Sequence, residues 1–383
     1  MSISEFKIRY LHELRNELIA SGAVSRIEYK DVGSCCNVPL EYAGFGERSA
    51  LSGDATSMDS FDEGAYFVHS PQVFLIRDAV VRTQYGIVTV DDIAIRESLF
   101  HFPWHRFPEF RTTGEAYRET SCHVWSDDPS VEVSDAYSVH AGIHDDNYYH
   151  WLILFLCKIN WMFLDAWSAQ LRSTPVLLLP YFSSEVQRDS ATALTEHFRL
   201  PLLNASKPIA IRVRRLVYAL PMRTGGLRAH PLIGQTLQVL RKKFYRSGDY
   251  PARIYVSRRD TSNRRIVNEE EVEALLQRRG YVAVRLTGKP FAEQVNLFAH
   301  AGKIIGPHGA GLTNLGFSDP GTSILEVQMP SHLNWCYRRL ASALGMRYGF
   351  LYGSLLTDTE RHVNRREYRL DLNKLNMCLD ELA

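Results

Sequence analysis

The run Ile304–Asn314, IIGPHGAGLTN, takes a short apolar strand into a glycine-rich turn and then a helix start. Gly309 and Gly311 let the backbone approach a ligand closely, and amides opening a helix attract phosphate oxygens. His308, Ala310, Thr313 and Asn314 complete the turn, the last two adding a hydroxyl and an amide. A tight strand–helix turn with glycines needed only for packing is the alternative reading. Upstream, Arg258 and Arg259 follow a second strand, and Arg264 and Arg265 lie in the loop after it. Guanidinium groups make paired, directional bonds to phosphate; a single arginine here reads better as a solvated loop residue, and it is the cluster of four in eight positions that points to an anionic ligand. Glu326 ends a third strand, where a carboxylate can accept both hydroxyls of a ribose. In the first half, HDDNYYHW holds His144, Asp145, Asp146, Asn147, Tyr148 and His150. An imidazole beside a carboxylate can act as general base on a hydroxyl. A histidine bonded within a packed aromatic cluster is the competing reading.

These residues need elements that bring them together. From Arg253 onward the pattern alternates: strand Arg253–Ser257, helix Asn268–Arg279, strand Val282–Leu286, helix Pro290–Ala301, strand Lys303–Gly306, strand Ser323–Val327 and helix Trp335–Leu344. Asn268 is the expected N-cap of its helix. This order predicts a parallel α/β sheet with helices on both faces, binding ligands at the carboxyl ends of its strands. All three signals fall at such ends. The first half predicts a helix over residues 5–20 and an irregular arm over 30–65. A short β-meander follows, with runs at Phe74–Ile76, Ala79–Arg82 and Gly86–Val90. Next come a helix over 145–168 capped by Asp145 or Asp146, a strand Pro175–Leu179, a helix Ser184–Phe198 and a strand Leu216–Leu220. Gly and Pro in Met222–Pro231 mark a hinge. The predicted organisation is therefore an arm over 1–60, a domain over 61–225, a nucleotide-binding domain over 226–360 and a closing helix over 361–383.

The chain has 383 residues, of which 45% are apolar and 23% charged, with room for two globular domains. Its 44 basic and 43 acidic side chains leave a net charge of +1, unlike a general nucleic-acid binder. An anionic ligand must therefore be held by a local cluster. Six cysteines without a CxxC pair point to thiols rather than a disulfide or zinc framework. The charged N-terminus and the polar interruptions of Trp151–Trp167 predict neither signal peptide nor membrane span, hence a cytoplasmic protein able to work at the inner face of a membrane.

The stretch from Tyr255 to Val327, with YVSRRD, IIGPHGAGLTN and SILEV in order, resembles glycosyltransferase family 61. NYYHWL at Asn147–Leu152 is similar to that family's N-terminal motif. The resemblance is nearest to bacterial members described as capsular polysaccharide biosynthesis proteins. It implies a GT-B architecture, two Rossmann-like domains facing each other across a cleft. It also implies inverting, metal-independent transfer of a sugar from a nucleotide-sugar donor, a UDP-sugar first, to a glycan or lipid-linked glycan acceptor, with no cofactor. The donor is expected at Arg258, Arg259, Arg265, His308, Gly309, Ala310, Gly311, Thr313, Asn314 and Glu326. The acceptor is expected near Asn147 and Tyr148, with His150 as base and Asp145 as second choice. One departure stands out: Leu154 replaces the acid, and Cys157-Lys158 the Pro-Arg, that commonly follow NYYHWL in the family. A sugar-nucleotide-binding protein without catalysis and a sugar-nucleotide epimerase on the same architecture are the alternatives.

Overall fold

The computed structural model describes residues 3–23, 26–40, 64–83, 86–99, 112–113, 121–125, 128–138, 147–163, 167–179, 184–203, 207, 209–220, 228–329, 333–356 and 366–382. In chain order the elements are β1 (Ile3–Arg9), α1 (Leu11–Ala20), β2 (Ile27–Asp31), β3 (Cys36–Pro39), β4 (Ala65–Val68), β5 (Gln72–Arg82), β6 (Ile87–Val90), β7 (Ile93–Ile95), β8 (Thr112–Thr113), β9 (Ser121–Trp125) and β10 (Val131–Ser138). A π-helix, His150–Leu156, leads into α2 (Lys158–Phe163), β11 (Val176–Leu178), α3 (Glu185–Phe198), β12 (Leu202–Leu203) and β13 (Ala210–Ala219). The remainder is α4 (Ile233–Phe244), β14 (Arg253–Val256), α5 (Glu269–Arg278), β15 (Val282–Val284), α6 (Phe291–His300), β16 (Lys303–Pro307), a 3-10 helix Ala310–Phe317, β17 (Ser323–Gln328), α7 (Cys336–Ala343), β18 (Arg347–Tyr352), β19 (Ser354–Leu355), β20 (Tyr368–Arg369) and α8 (Leu372–Glu381). The chain forms two compact units: residues 1–35 with 69–223, and residues 36–68 with 224–383.

In the first unit a mixed sheet runs β12-β11-β10-β13-β5-β6-β7-β1-β9-β8, with β2 also paired to β5. The part β12-β11-β10-β13 is parallel. Antiparallel β5, β6 and β7 continue it as a meander. Its core joins Phe74, Ile76, Val81, Val88, Ile211 and Val213 to Leu11 and Leu14 of α1. Residues 5–20 are not one helix: their first part is β1, hydrogen-bonded between β7 and β9. Phe6 and Ile8, two apart, are the buried side chains of that stretch, which is the periodicity of a strand. Within the expected arm, β2 belongs to this sheet and β3 pairs with β4 in the second unit. The two expected runs at Phe74–Ile76 and Ala79–Arg82 are one strand, β5, because Asp78 adopts a left-handed φ of 55° without ending the pairing.

The second unit matches its expected alternation closely. Its sheet has the order β15-β14-β16-β17-β18 and is parallel throughout. Val272 and Leu276 of α5 and Leu375 and Leu379 of α8 cover Tyr255, Ile305 and Leu325 on one face. Ile254, Ile304 and Ile324 alternate with these and are equally buried on the other face. α4, α6 and α7 pack around the 3-10 helix. The β3–β4 hairpin packs Val38, Leu40, Tyr66 and Val68 against Ala343 of α7. The Tyr66 hydroxyl donates to the carbonyls of Ala229 (2.6 Å) and Arg339 (3.1 Å), fixing α7 in place. The fold is thus α/β in both units. Among the described residues no helix is long and apolar enough to cross a membrane.

Candidate functional site

The carboxyl ends of β14, β16 and β17 bring Arg258, His308, Gly309 and Glu326 into one region of the second unit. After β14, Glu269 at the start of α5 sets the chain. Its Oε1 accepts from the Tyr255 hydroxyl (2.9 Å), the Ser257 hydroxyl (2.9 Å) and the Arg258 backbone amide (2.8 Å). Glu269 is buried, so its charge is held by these donors and by the first turn of the helix. Burial and this carboxylate push the Tyr255 hydroxyl's pKa well above its ordinary value. Glu269 is a positioning group that the sequence pattern does not single out, because its partners are brought to it by the fold.

Arg258 lies half-buried against the glycine turn. A Cβ added to Gly309 would fall 2.0 Å from its Nη1, so the turn and the guanidinium touch only because residue 309 has no side chain. Arg258 Nη2 donates to the Asn263 carbonyl at 3.0 Å, its Nε is buried without a hydrogen-bond partner, and no carboxylate among the described residues pairs with it. Arg264 comes close to the same place. Its backbone is left-handed, φ 51°, an uncommon state for a residue with a side chain. Hydrogen bonds from the Tyr368 amide to the Arg265 carbonyl (3.1 Å) and from the Val267 amide to the Tyr368 carbonyl (2.9 Å) pin that loop to β20. Burial and the neighbouring Arg258 charge lower the Arg264 pKa below the usual guanidinium value. Two cations are therefore held close together at a strand end.

The other two expected arginines lie elsewhere. Arg259 turns to α5, donating to Glu270 (2.6 Å) and facing Glu273 (3.5 Å). Arg265 is exposed and pairs with Glu367 at 3.6 Å. The left-handed residue at 264 separates the directions of the two side chains, so Arg264 rather than Arg265 stands beside Arg258.

In the turn itself, the His308 amide donates to the Val327 carbonyl (2.9 Å) and the Leu312 amide to the Gly309 carbonyl (2.9 Å). Ala310 is exposed and Gly311 half-buried. Thr313 and Asn314 are fully buried and brace the turn. The Thr313 hydroxyl is 3.4 Å from that of Tyr337, and Asn314 Nδ2 donates to the Gly311 carbonyl (3.0 Å) and to Gln294 (3.1 Å). Glu326 is fully buried. Its Oε1 is 2.7 Å from His308 Nδ1, and its Oε2 accepts from the Tyr348 hydroxyl at 2.5 Å. Burial and Glu326 together raise the Tyr348 pKa well above that of a free phenol. Asn268 holds the N-cap position of α5 as expected, but its side chain exchanges bonds with the backbone of Leu370 and makes no capping bond to the helix.

In the first unit, the Asn147 side chain caps the helix of the NYYHWL motif. Its Oδ1 accepts from the amides of Tyr149 (3.0 Å) and His150 (3.2 Å). Tyr148 and His150 are half-buried, and His150 begins the π-helix. His144, Asp145 and Asp146 lie outside the described residues, as do residues 222–227 of the expected hinge. Lys158, beyond the π-helix, is completely buried over the Tyr218 and Phe155 rings, and burial depresses its pKa to about 7. Among the described residues no group of three or more His, Cys, Asp or Glu side chains forms a metal cage.

These geometric features coincide with a family pattern. Residues 148–325 match the Glycosyltransferase 61 family. The match takes in the helix at Tyr148, the Arg258 loop and the glycine turn, and stops one residue before Glu326. The chain is also similar to the EGF domain-specific O-linked N-acetylglucosamine transferase of Drosophila melanogaster, with 37% identity over 97 residues. That alignment covers 24% of this chain and 18% of the fly protein. Both likenesses are to glycosyltransferases, and glycosyl transfer is the chemistry they have in common.

Proposed function

We propose that the protein is a glycosyltransferase whose second unit holds a nucleotide-sugar donor. The observation that carries this reading is the Arg258 guanidinium, which has no carboxylate partner among the described residues, lies against Gly309 and has Arg264 beside it. A guanidinium that no carboxylate pairs, with a second cation beside it, favours an anion, and a diphosphate supplies two to four acceptor oxygens in the geometry a guanidinium prefers. The opening amides of the 3-10 helix add donors on the same side. A transferred sugar leaves a diphosphate whose new charge these groups stabilise, so the arginines supply the role that a cation plays elsewhere.

The finer reading is inverting, metal-independent transfer from a UDP-sugar to a glycan hydroxyl, within a GT-B architecture, by a cytoplasmic enzyme of cell-surface polysaccharide assembly. The all-parallel sheet of the second unit and the parallel strands β10–β13 of the first support two Rossmann-like halves. His150, at the start of the π-helix, is the proposed base for the acceptor, since π-turns concentrate at functional sites. A second reading of the acceptor comes from the fly relative, whose name gives EGF domains as its substrate: a hydroxyl on a folded protein. A thermal-shift screen over nucleotide sugars tests the donor, because a ligand of the native state raises the melting temperature. NMR of the product with either acceptor class, with and without a chelator, then tests anomeric configuration and metal use. A protein that no nucleotide or nucleotide sugar stabilises contradicts the proposal.

A further inference from the structure

From its place at a strand end, Glu326 is expected to hold the ribose of the donor. The geometry assigns it elsewhere. Glu326 has no exposed surface, and each of its oxygens already has a side-chain partner within its own unit: His308 Nδ1 at 2.7 Å and the Tyr348 hydroxyl at 2.5 Å. A ribose could reach those oxygens only by displacing both. The three residues come from consecutive sheet positions: β16 delivers His308, β17 delivers Glu326 and β18 delivers Tyr348. Glu326 pairs across the ladder with Gly306 on one side and Phe350 on the other, so strand register fixes the row.

We propose that Glu326 is a positioning residue for His308, anchored by Tyr348, and that His308 presents Nε2 to a phosphate oxygen of the donor. The carboxylate accepts from Nδ1–H, which selects the ring orientation and leaves Nε2 on the side away from Glu326. His308 adjoins Gly309, the residue that Arg258 touches, so Nε2 and the guanidinium serve the same anion. When Nε2 donates to phosphate, the ring carries positive charge, and the buried carboxylate behind it compensates that charge. The other charged and titratable neighbours in this region include Arg258, Arg264, Tyr337, Arg338, Tyr368, Glu269 and Cys336. During transfer the bond from the anomeric carbon to the phosphate oxygen breaks, its electron pair stays on that oxygen, and the acceptor oxygen forms the new bond. His308 stabilises the departing oxygen, and the acceptor's proton leaves through a separate base.

This inference rests on the donor reading, and its test separates the two. Binding of UDP, uridine and inorganic pyrophosphate is measured calorimetrically for wild type, His308→Gln, Glu326→Gln and Tyr348→Phe. His308→Gln and Glu326→Gln are expected to weaken UDP and pyrophosphate by about tenfold to a hundredfold while leaving uridine unchanged, the loss of one charge-assisted hydrogen bond. The double variant is expected to be no weaker than either single one. In wild type, a downfield His308 Nδ1–H proton resonance is expected, lost in Glu326→Gln. If Glu326→Gln loses uridine as severely as UDP, or keeps the Nδ1–H signal, the positioning role is overturned and the ribose role restored. Should Glu326→Gln fail to fold, Tyr348→Phe decides: a smaller loss confined to UDP and pyrophosphate supports the relay, and unchanged pyrophosphate affinity refutes it. A wild type that binds neither UDP nor pyrophosphate refutes the donor reading itself.

Discussion

Gly309→Ala isolates the contact on which the donor site depends. Residue 309 has an extended backbone, φ 172° and ψ 162°, which alanine adopts without strain. The added methyl carbon would lie 2.0 Å from Arg258 Nη1, so the guanidinium must retreat by about 1.5 Å to reach an ordinary separation of about 3.5 Å. Arginine can make that move by changing rotamers, and the second unit should keep its melting temperature nearly unchanged. A guanidinium displaced that far no longer bonds the anion it faced. The loss of a charge-assisted hydrogen bond, about 1.5–3 kcal/mol, weakens a phosphate ligand by about tenfold to 150-fold. Isothermal titration with UDP on wild type, Gly309→Ala, Arg258→Ala and the double variant reads this directly. The two single losses should overlap, with the double variant no worse than Arg258→Ala. A Gly309→Ala protein that is fully folded and binds UDP with wild-type affinity would mean that the Arg258–Gly309 contact does not hold the donor.

Three further outcomes follow from buried groups. Lys158→Met should raise stability at pH 7 by a few kcal/mol, because the lysine is completely buried with its pKa depressed to about 7. The unfolded chain binds the extra proton between that value and the ordinary lysine range, so wild-type stability gains from rising pH in that window. Chemical denaturation at pH 7 and pH 9.5 should show the variant's advantage shrinking at the higher pH. Glu269→Ala removes the acceptor shared by Tyr255, Ser257 and the Arg258 amide. It should cost on the order of 3 kcal/mol and also weaken UDP, measured by melting with and without ligand. Gly353→Ala places a methyl 2.2 Å from the Tyr368 ring and 3.2 Å from the Arg369 carbonyl. Overpacking there should destabilise by about 1–3 kcal/mol, visible as a lowered melting temperature.

The regular half of the molecule was legible because its signals are local. From Arg253 to Ala343, apolar runs, a well-placed Pro290 and glycine turns mark each strand and helix, and the order of elements implies the parallel sheet. Arg258, His308, Gly309 and Glu326 could be assembled from sequence because each sits at a strand's carboxyl end. What they do there depends on contacts between distant residues. Tyr348, 22 positions beyond Glu326, occupies the oxygen that a ribose would need. Arg264 and Arg265 look alike in sequence, and a single left-handed backbone at 264 sends one to Arg258 and the other to Glu367. Near the N-terminus, the alternation of Phe6 and Ile8 is too short to outweigh the helical residues after it, and pairing with β7 and β9 decides the strand. Asn147 took the cap because its side chain reaches the Tyr149 and His150 amides directly.

Hydrogen–deuterium exchange with and without UDP locates the donor on the chain. Bound UDP should slow exchange in residues 257–265 and 308–314, the arginine loop and the glycine turn, and Arg258→Ala should abolish that protection. Protection confined to other segments, with these two loops exchanging as in the free protein, would contradict the account.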